Sequence, residues 1–469
     1  AGGYDGAVLR PGLAPLRARL SAGVPVLALA ASAAMVACAP AERAEPWNVV
    51  VLLVDTLRAD HLGLHGYGRP TSPVLERLAR ESIVFEHARS QAGCTFPSVA
   101  SLLTSRPANE LMAGIERHGM AVPGESPYVP AILRDQGWAT AAVSASIIVR
   151  DTPSEINRQG GYGRGFERFD EQCLDRSAAC VNARALALLD ELPEPFFLYL
   201  HYLDPHAPYR PPRWHERRFA LGRPDRSWVS EGEPERIFRK LYEGEPGIPF
   251  GRSDLGHFVD LYDEEIRFFD TRLGELLAEL GGRGLLDRTV LVLLSDHGEE
   301  LLDHGHFGHC RNLAYETLLR TPLVVRLPGG PAGRLSGPVD NLDVVPTLLD
   351  YLGIDPGPVG FAGRSLRPWM EGGEPPPPGH HFALQGTVRT VTDGRWKLLV
   401  DLASGGTSLY DLAADPGERL DLAARRPGEA ERLRKALRRW VEAAEGGELA
   451  AAVRRAREHQ RQLEALGYL

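Results

Sequence analysis

Three apolar runs that each end in an acidic residue or a histidine most constrain the fold of this 469-residue chain. They are "NVVVLLVD", which ends at Asp55, "FFLYLHYLDPH", which ends in Asp204 and His206, and "TVLVLLSDH", which ends in Asp296 and His297. Continuous apolar runs between longer helical patterns are typical of buried, mostly parallel strands in an α/β domain. Because such sheets bind ligands at the carboxyl ends of their strands, the sequence predicts a polar site at that edge.

The remaining patterns predict a large domain followed by a smaller one, since the chain exceeds the size at which one core usually keeps growing. The cluster "EGGEPPPPGHH" at 371–381 is typical of a linker. We therefore expect an α/β domain over 47–370, a small antiparallel sheet over 380–427 and a helical segment over 428–469. Within the large domain, 255–281 has helical periodicity with an acidic face that we interpret as solvent-exposed.

The first residues have the layout of an export signal. Basic residues precede the apolar run "VPVLALAASAAMVA", which ends at Cys38. The run is shorter than the about 20 apolar residues that a transmembrane helix needs. Its end, "MVAC", resembles a bacterial lipoprotein box in which Cys38 is lipidated, and an ordinary cleaved signal or a single anchor is the alternative. We predict that 1–38 is a signal peptide of the lipoprotein type and that the protein is anchored to the membrane in the bacterial periplasm or cell envelope.

The net charge and the cysteines limit which binding partners and which bonds between cysteines are expected. The formal net charge is -9 and the basic residues are spread along the chain, which argues against nucleic acid as a partner. Export permits disulfides, and Cys173 and Cys180 are close enough in sequence to form one. Cys94 and Cys310 are then left over, and we interpret Cys310 as a small buried hydrophobic residue.

A set of motifs in a fixed order carries a family resemblance. The chain contains, in sequence, "VVVLLVDTLRADHLGLHGY", "PSVASLLTSRPA", "HYLDPHAPY", "LLSDHGEELLDHGHFGH" and "DVVPTLLDYLGI". This ordered set resembles the sulfatase family within the alkaline phosphatase superfamily. The resemblance implies an alkaline-phosphatase-like α/β fold with a small C-terminal antiparallel sheet. It also implies a divalent metal ion and a substrate that is a sulfate, phosphate or phosphonate ester.

The residue at the nucleophile position departs from the common pattern of that family. Sulfatases carry Cys-x-Pro-Ser-Arg, whose cysteine becomes formylglycine, but here Thr95 stands two residues before Pro97 and Val99 replaces the arginine. Cys94 is displaced by one place. The chain therefore resembles the branch with a threonine nucleophile, as in phosphoethanolamine transferases and lipoteichoic acid synthases. Metal coordination can activate such a hydroxyl, whereas the alternative for Thr95 is a plain helix N-cap.

The same resemblance assigns a metal site to Asp55, Thr95, Asp296 and His297. Sulfatases usually have Asp-Asp and Asp-Asn at the two strand ends, an all-oxygen site that suits calcium. This chain has Asp55-Thr56 and Asp296-His297 instead. Fewer carboxylates and one imidazole favour zinc or manganese, with calcium as a further possibility. The alternative for Asp296-His297 is a capped turn after a strand.

Two histidines match positions that bind the substrate in the family. His206 in "DPHAP" and His309 in "GHFGH" would donate hydrogen bonds to the oxygens on which charge develops. Arg58 has two interpretations, neutralising substrate charge or bracing its loop. We assign no catalytic role to three other histidines, which we interpret as a core residue and as supporting or solvent-facing residues: His201, His304 and His306.

Together these features predict an exported, metal-dependent hydrolase or transferase that forms a covalent ester on Thr95. The alternative is a catalytically silent family member that acts as a binding or scaffold lipoprotein. Loss of a metal ligand would mark that alternative, and the four candidate ligands are present in the sequence.

Overall fold

The computed structural model describes residues 46–445 except 114, 116–118, 213, 221–251, 356, 358 and 378. The predicted signal over 1–38, its candidate lipidation site Cys38 and the end of the predicted 428–469 segment lie outside the described residues. Export and anchoring therefore stay predictions. Among the described helices, none has the length and apolar character needed to cross a bilayer.

Eight of the described strands form one sheet whose members are mostly parallel. In chain order the strands are β1 (Asn48–Val54), β2 (Ile83–Arg89), β3 (Ala139–Ser144), β4 (Arg168–Asp170), β5 (Phe196–Tyr202), β6 (Thr289–Leu294), β7 (Glu300–Leu301), β8 (Phe307–Gly308), β9 (Leu323–Arg326), β10 (Gly333–Asp340), β11 (His381–Gln385), β12 (Val388–Thr392), β13 (Trp396–Asp401) and β14 (Thr407–Asp411). The large sheet has the order β10-β2-β9-β6-β1-β5-β3-β4. Its β9 runs antiparallel to both neighbours, and the other pairs are parallel.

The apolar run of β1 is continuous because both faces of the sheet are covered. Val50, Leu52 and Val54 pack into one core, whereas Val49, Val51 and Leu53 pack into the other. Strand geometry sends alternate side chains to opposite faces, so a strand between two helical layers needs apolar residues at every position. The predicted α/β fold with its mostly parallel central sheet is confirmed.

The described α-helices include those that cover both faces of this sheet. They are α1 (Pro73–Ala79), α2 (Thr95–Thr104), α3 (Ala108–Ala113), α4 (Val129–Asp135), α5 (Ala178–Leu189), α6 (Arg252–Gly282), α7 (Glu316–Leu319), α8 (Val344–Tyr351), α9 (Arg367–Met370) and α10 (Pro427–Glu445). The helix predicted over 255–281 is confirmed as α6.

The interpretation of the acidic face of α6 as solvent-exposed was wrong, because several of its acidic side chains are buried. Asp270 accepts hydrogen bonds from the backbone N–H groups of Val74 and Leu75. Glu264 accepts backbone N–H groups of residues 218–220, and Glu265 accepts that of Arg210. Helical periodicity identifies a polar face, but it does not show whether water or another segment covers that face.

A small antiparallel sheet follows the large domain, as predicted. β11, β12, β13 and β14 pair in sequence order, and every pair is antiparallel. Helix α10 packs on this sheet through Leu433 and Leu437, which lie in one apolar cluster with Leu398. The sheet contacts the large domain through a bridge between Ala92 and Leu384.

Two disulfides are present among the described residues. Cys173 and Cys180 are bonded, as their spacing allows. Cys94 and Cys310 are bonded as well, with 4.8 Å between their Cα atoms, so the interpretation of both as unpaired residues was wrong. Their separation of 216 residues gives no local signal, since only the folded chain brings the start of α2 against the segment that follows β8.

Candidate active site

The ends of two central strands bring the predicted ligands together. Asp55 directly follows β1, and Asp296 and His297 come just after β6. The two strands are parallel neighbours with Leu53 opposite Leu294, so the chain leaves both at the same edge of the sheet. One ligand atom from each of Asp55, Asp296 and His297 lies within 4.8 Å of the others, and all three residues are buried.

Hydrogen bonds leave one oxygen of each aspartate for a further partner. Asp55 Oδ2 lies 3.1 Å from His201 Nε2, and Asp296 Oδ1 accepts the N–H groups of His297 at 2.9 Å and Thr56 at 3.3 Å. Asp55 Oδ1 and Asp296 Oδ2 are buried and have no hydrogen-bond partner within the described part of the chain. Since a buried carboxylate oxygen without a partner is costly, this pair fits a bound cation.

His297 completes the donor set through its Nε2 atom. Its Nδ1 lies 2.8 Å from the Gly298 carbonyl oxygen, so Nδ1 carries the proton and Nε2 carries the lone pair. That Nε2 is 3.4 Å from Asp296 Oδ2 and 3.8 Å from Asp55 Oδ1. A histidine held in this way by a backbone carbonyl is typical of metal ligands. Two carboxylates and one imidazole are donors that suit zinc or manganese.

The pKa values of the two aspartates are shifted in opposite directions. Burial raises the pKa of Asp296, and the nearby Asp55 charge adds to this, giving a value of about 7. Burial also opposes ionisation of Asp55, but the His201 hydrogen bond and the neighbouring imidazoles bring its pKa below the usual range. A divalent cation would stabilise both carboxylates in the ionised state.

Thr95 faces the same cluster from the start of α2. Its Oγ1 lies 3.3 Å from His297 Nε2, and the N-cap residue of the helix is Cys94, not Thr95. Ser98, one turn later, donates its hydroxyl to the Asp296 carbonyl oxygen at 2.5 Å. This bond ties the first turn of α2 to the end of β6, so Thr95 is held beside the ligand cluster. The structure thus brings together the four predicted metal-site residues, whose role as ligands stays a prediction.

The two predicted substrate-binding histidines lie beside this cluster. The ring centroids of His206 and His309 are 4.9 Å apart, and His309 is 4.7 Å from His297. His309 Nδ1 lies 2.8 Å from Glu299 Oε1, and His206 Nδ1 donates to the Ala207 carbonyl oxygen at 2.6 Å. Burial lowers the pKa of both histidines, that of His309 to about 4, so both imidazoles are neutral near pH 7.

Sequence reasoning missed two residues that support these groups. His201 was interpreted as a core histidine; it is fully buried, and it also contacts Asp55. The register places His201 opposite Leu53 on the adjacent strand, which is the signal that could have found it. Glu299 holds His309, and burial raises the pKa of Glu299 to about 7. Its only sequence signal is its place next to the "SDHG" stretch.

The remaining candidates serve the scaffold. Arg58 forms ion pairs with Asp60 and Asp303, so of its two interpretations the structure supports bracing of the loop. His304 stacks on Tyr315 with 3.6 Å between ring centroids and bonds to Glu300 at 2.9 Å. His306 is exposed.

A cavity of about 560 Å³ opens beside His206. Its lining includes Asp204, Glu265, Arg210 and Trp214, so carboxyl, guanidinium and aromatic groups all reach it. Such a mixed lining next to the histidine pair offers space for the organic part of a substrate.

Comparisons with known proteins agree with this fold. The family model described as Sulfatase matches residues 47–354. The iduronate 2-sulfatase of Mus musculus is 23% identical over 336 residues, and the match covers 61% of this chain and 60% of that protein. The arylsulfatase of Clostridium perfringens is 24% identical over 442 residues, covering 80% of this chain and 90% of that protein. The chain thus spans about three fifths of the length of the first relative and most of the second.

Solved structures extend the likeness to the C-terminal sheet. The phosphonate monoester hydrolase of Agrobacterium radiobacter superposes with a TM-score of 0.65 at 21% identity, covering 84% of this chain and 96% of that chain. At this identity the likeness concerns the fold. The family match spans the strands and loops that carry Asp55, Thr95, Asp296 and His297. The chain belongs to the sulfatase family.

Proposed function

We propose that this protein is a metal-dependent ester hydrolase in which Thr95 attacks the phosphorus or sulfur atom of the substrate and forms a covalent ester. The observation that carries the proposal is the position of Thr95 Oγ1, which lies 3.3 Å from His297 Nε2 at the cluster with two partnerless carboxylate oxygens. The relatives named sulfatase, arylsulfatase and phosphonate monoester hydrolase support the reaction class.

Asp55, Asp296 and His297 would hold the metal ion through Oδ1, Oδ2 and Nε2. A divalent cation bound there would lower the pKa of the Thr95 hydroxyl and neutralise charge on the nonbridging oxygens of the ester. The first-turn N–H groups of α2 add a favourable field for the same oxygens.

The reaction has two steps. After the Thr95 hydroxyl loses its proton to solvent, its Oγ1 bonds to the central atom while the bond to the leaving alcohol breaks and the alcohol oxygen takes up a proton. Water then attacks the central atom, and the bond to Thr95 breaks as Thr95 Oγ1 takes up a proton from solvent. His206 directs Nδ1 to a backbone carbonyl, which leaves Nε2 as the nitrogen that can take the proton of the attacking water. An acceptor alcohol in place of water would make the protein a transferase.

The charge balance favours substrates with a single negative charge. Two carboxylates balance a divalent cation, and the nearby Arg58 is already paired with Asp60 and Asp303. Phosphate diesters, phosphonate monoesters and sulfate monoesters meet this condition better than doubly charged phosphate monoesters. Among these, Thr95 in place of a formylglycine favours phosphorus esters, whereas the sulfatase names of the relatives make sulfate esters the second candidate.

The decisive variant is Thr95→Ala, with Thr95→Ser as the matched control that keeps a hydroxyl. Turnover of nitrophenyl phosphate diester, phosphonate, sulfate and phosphate monoester should be measured with zinc, manganese or calcium. Because the nucleophile is lost, we expect kcat/KM of Thr95→Ala to fall by about 10⁴-fold or more. The serine variant should retain measurable turnover.

Rapid quenching and peptide mass spectrometry should locate the covalent ester on the peptide that contains Thr95. A Thr95→Ala enzyme with turnover within tenfold of the wild type would overturn the proposal. So would an aldehyde at Cys94, which the Cys94–Cys310 disulfide makes inaccessible to that conversion. The alternative of a silent scaffold protein is less favoured, since the four candidate metal-site residues converge.

A further inference from the structure

The Cys94–Cys310 disulfide joins the neighbours of two residues that act in the proposed reaction, Thr95 and His309. Cys94 precedes Thr95, and Cys310 follows His309. Both cysteines are buried, and the Cys310 N–H donates to the Gly93 carbonyl oxygen at 3.1 Å. A covalent bond and a backbone hydrogen bond therefore lie within two residues of Thr95 and within one residue of His309.

His309 lies just after a very short pair of strands. It follows β8, which has two residues and pairs only with the two-residue β7 among the described strands. Short two-stranded elements are marginally stable by themselves. Glu299 holds one ring nitrogen of His309, but Glu299 belongs to the same loop region just before β7. These contacts orient the ring locally, whereas the disulfide connects its backbone to another element.

The backbone at Cys310 is held in a costly conformation. Its φ is +61°, in the left-handed region that residues with a side chain rarely adopt. Such conformations persist where surrounding structure fixes them, and they concentrate at functional sites. Cys94 is the fixed end of this connection, because it is the N-cap of α2 and accepts the Ser98 N–H at 3.3 Å. Ser98 in turn bonds to the carbonyl of Asp296.

We propose that the Cys94–Cys310 disulfide is a positioning element that sets the distance between Thr95 and His309 for turnover. The proposal rests on the proposed function, since it assigns the disulfide to the same site. Its cysteines do not touch the substrate; they fix the two residues that would. Displacement of a reacting group by about 1 Å can cost about 100-fold in rate, so loss of this connection should appear in kcat.

The test compares two variants that each lack one disulfide. Cys94→Ala/Cys310→Ala removes the proposed positioning element, and Cys173→Ala/Cys180→Ala removes the other disulfide as the matched control. At a temperature where circular dichroism shows both fully folded, we expect kcat of the first variant to fall about 10- to 100-fold with KM within threefold. Because residues 174–177 of the control loop line the cavity, this control is judged by kcat alone, which should stay within twofold. Cys94→Ser/Cys310→Ser, which keeps a γ atom at each position without the bond, should behave as the alanine pair does.

Amide hydrogen exchange gives a readout that does not depend on turnover. Residues 307–311 should exchange faster in Cys94→Ala/Cys310→Ala, while β1 keeps the protection of the wild type. A folded double variant with wild-type kcat, or with unchanged exchange at 307–311, would overturn the proposal. If the turnover of the wild type did not depend on Thr95, that result would contradict the proposed function instead. In that case, unchanged exchange at 307–311 would overturn the positioning role separately.

Discussion

The candidate active site is built from two regions that are supported in different ways. The ligand region, Asp55, Asp296 and His297, comes directly after the adjacent central strands β1 and β6. The histidine region, His206 and His309, comes from the loop after β5 and from the residue after the two-residue β8. The sheet fixes the first region through strand register, whereas local side-chain bonds and a disulfide fix the second. The geometry of the ligand region therefore depends on the packed core, and that of the histidine region depends on loops.

The largest effect should come from breaking the ligand region. Asp296→Asn keeps the shape of the side chain but removes its charge, so we expect loss of bound metal and a fall in kcat/KM of about 10³-fold or more, equivalent to several kcal/mol of transition-state stabilisation. Elemental analysis of the purified protein measures the metal, with zinc or manganese expected. Asp135→Asn, at an exposed carboxylate, is the control. Full metal content in Asp296→Asn would contradict the assignment of this residue.

A change in the histidine region should affect turnover without affecting the metal. His309→Ala should lower kcat by about 10²- to 10³-fold, because one group that interacts with developing charge is lost. Metal content should equal that of the wild type, since the three ligand residues follow other strands. The exposed His306→Ala serves as control. If His309→Ala also lost its metal, the two regions would not be separable.

A smaller effect should reveal how the sheet supports the ligands. His201→Leu fills similar space but removes the hydrogen bond to Asp55, so we expect metal affinity to fall about 10- to 100-fold. Competition with a chromogenic chelator measures this affinity. Tyr199→Phe removes the hydroxyl 3.0 Å from His201 Nδ1 and should have a weaker effect in the same direction. Unchanged affinity in His201→Leu would mean that packing alone orients Asp55.

The smallest effect on turnover is expected at His304, which lies in the same histidine-rich stretch but supports the C-terminal sheet. His304→Ala should keep kcat within twofold and lose about 1 kcal/mol of unfolding free energy with its stacking on Tyr315. Burial lowers the pKa of His304, but the hydrogen bond and charge of Glu300 outweigh this and raise it. The folded protein thus binds this proton more tightly than the unfolded chain. The stabilisation that the protonated His304 adds to the free energy of unfolding is complete below the ordinary pKa of histidine. It is lost as the pH rises through the raised pKa.

Unfolding midpoints of wild type and His304→Ala across this pH range provide the measurement. The difference between the two proteins should shrink toward high pH. A loss of turnover comparable to that of His309→Ala would contradict the separation of these two histidines.

The apolar runs in the sequence predicted the edge of the sheet at which Asp55, Asp296 and His206 lie, whereas His309 was found only through the family resemblance. An apolar run that ends at Asp55 or Asp296 identifies both the strand and the edge of the sheet, so local pattern and long-range placement agree. No local pattern connects Cys94 with Cys310, because that contact depends on how two distant loops fold together. The buried acids of α6 were missed for the same reason: their partners are backbone N–H groups of other segments.

Those acids have a consequence for how the protein can diversify. Glu264 and Glu265 bind residues 218–220 and Arg210 through main-chain N–H groups, which every amino acid except proline possesses. These main-chain bonds do not depend on which side chains, proline excepted, stand at 210 and 218–220. Arg210 lines the cavity beside His206, so a substitution at this position alters the wall of the cavity while the main-chain bond to Glu265 is kept. A mutational library at 210 is therefore a direct way to shift substrate preference.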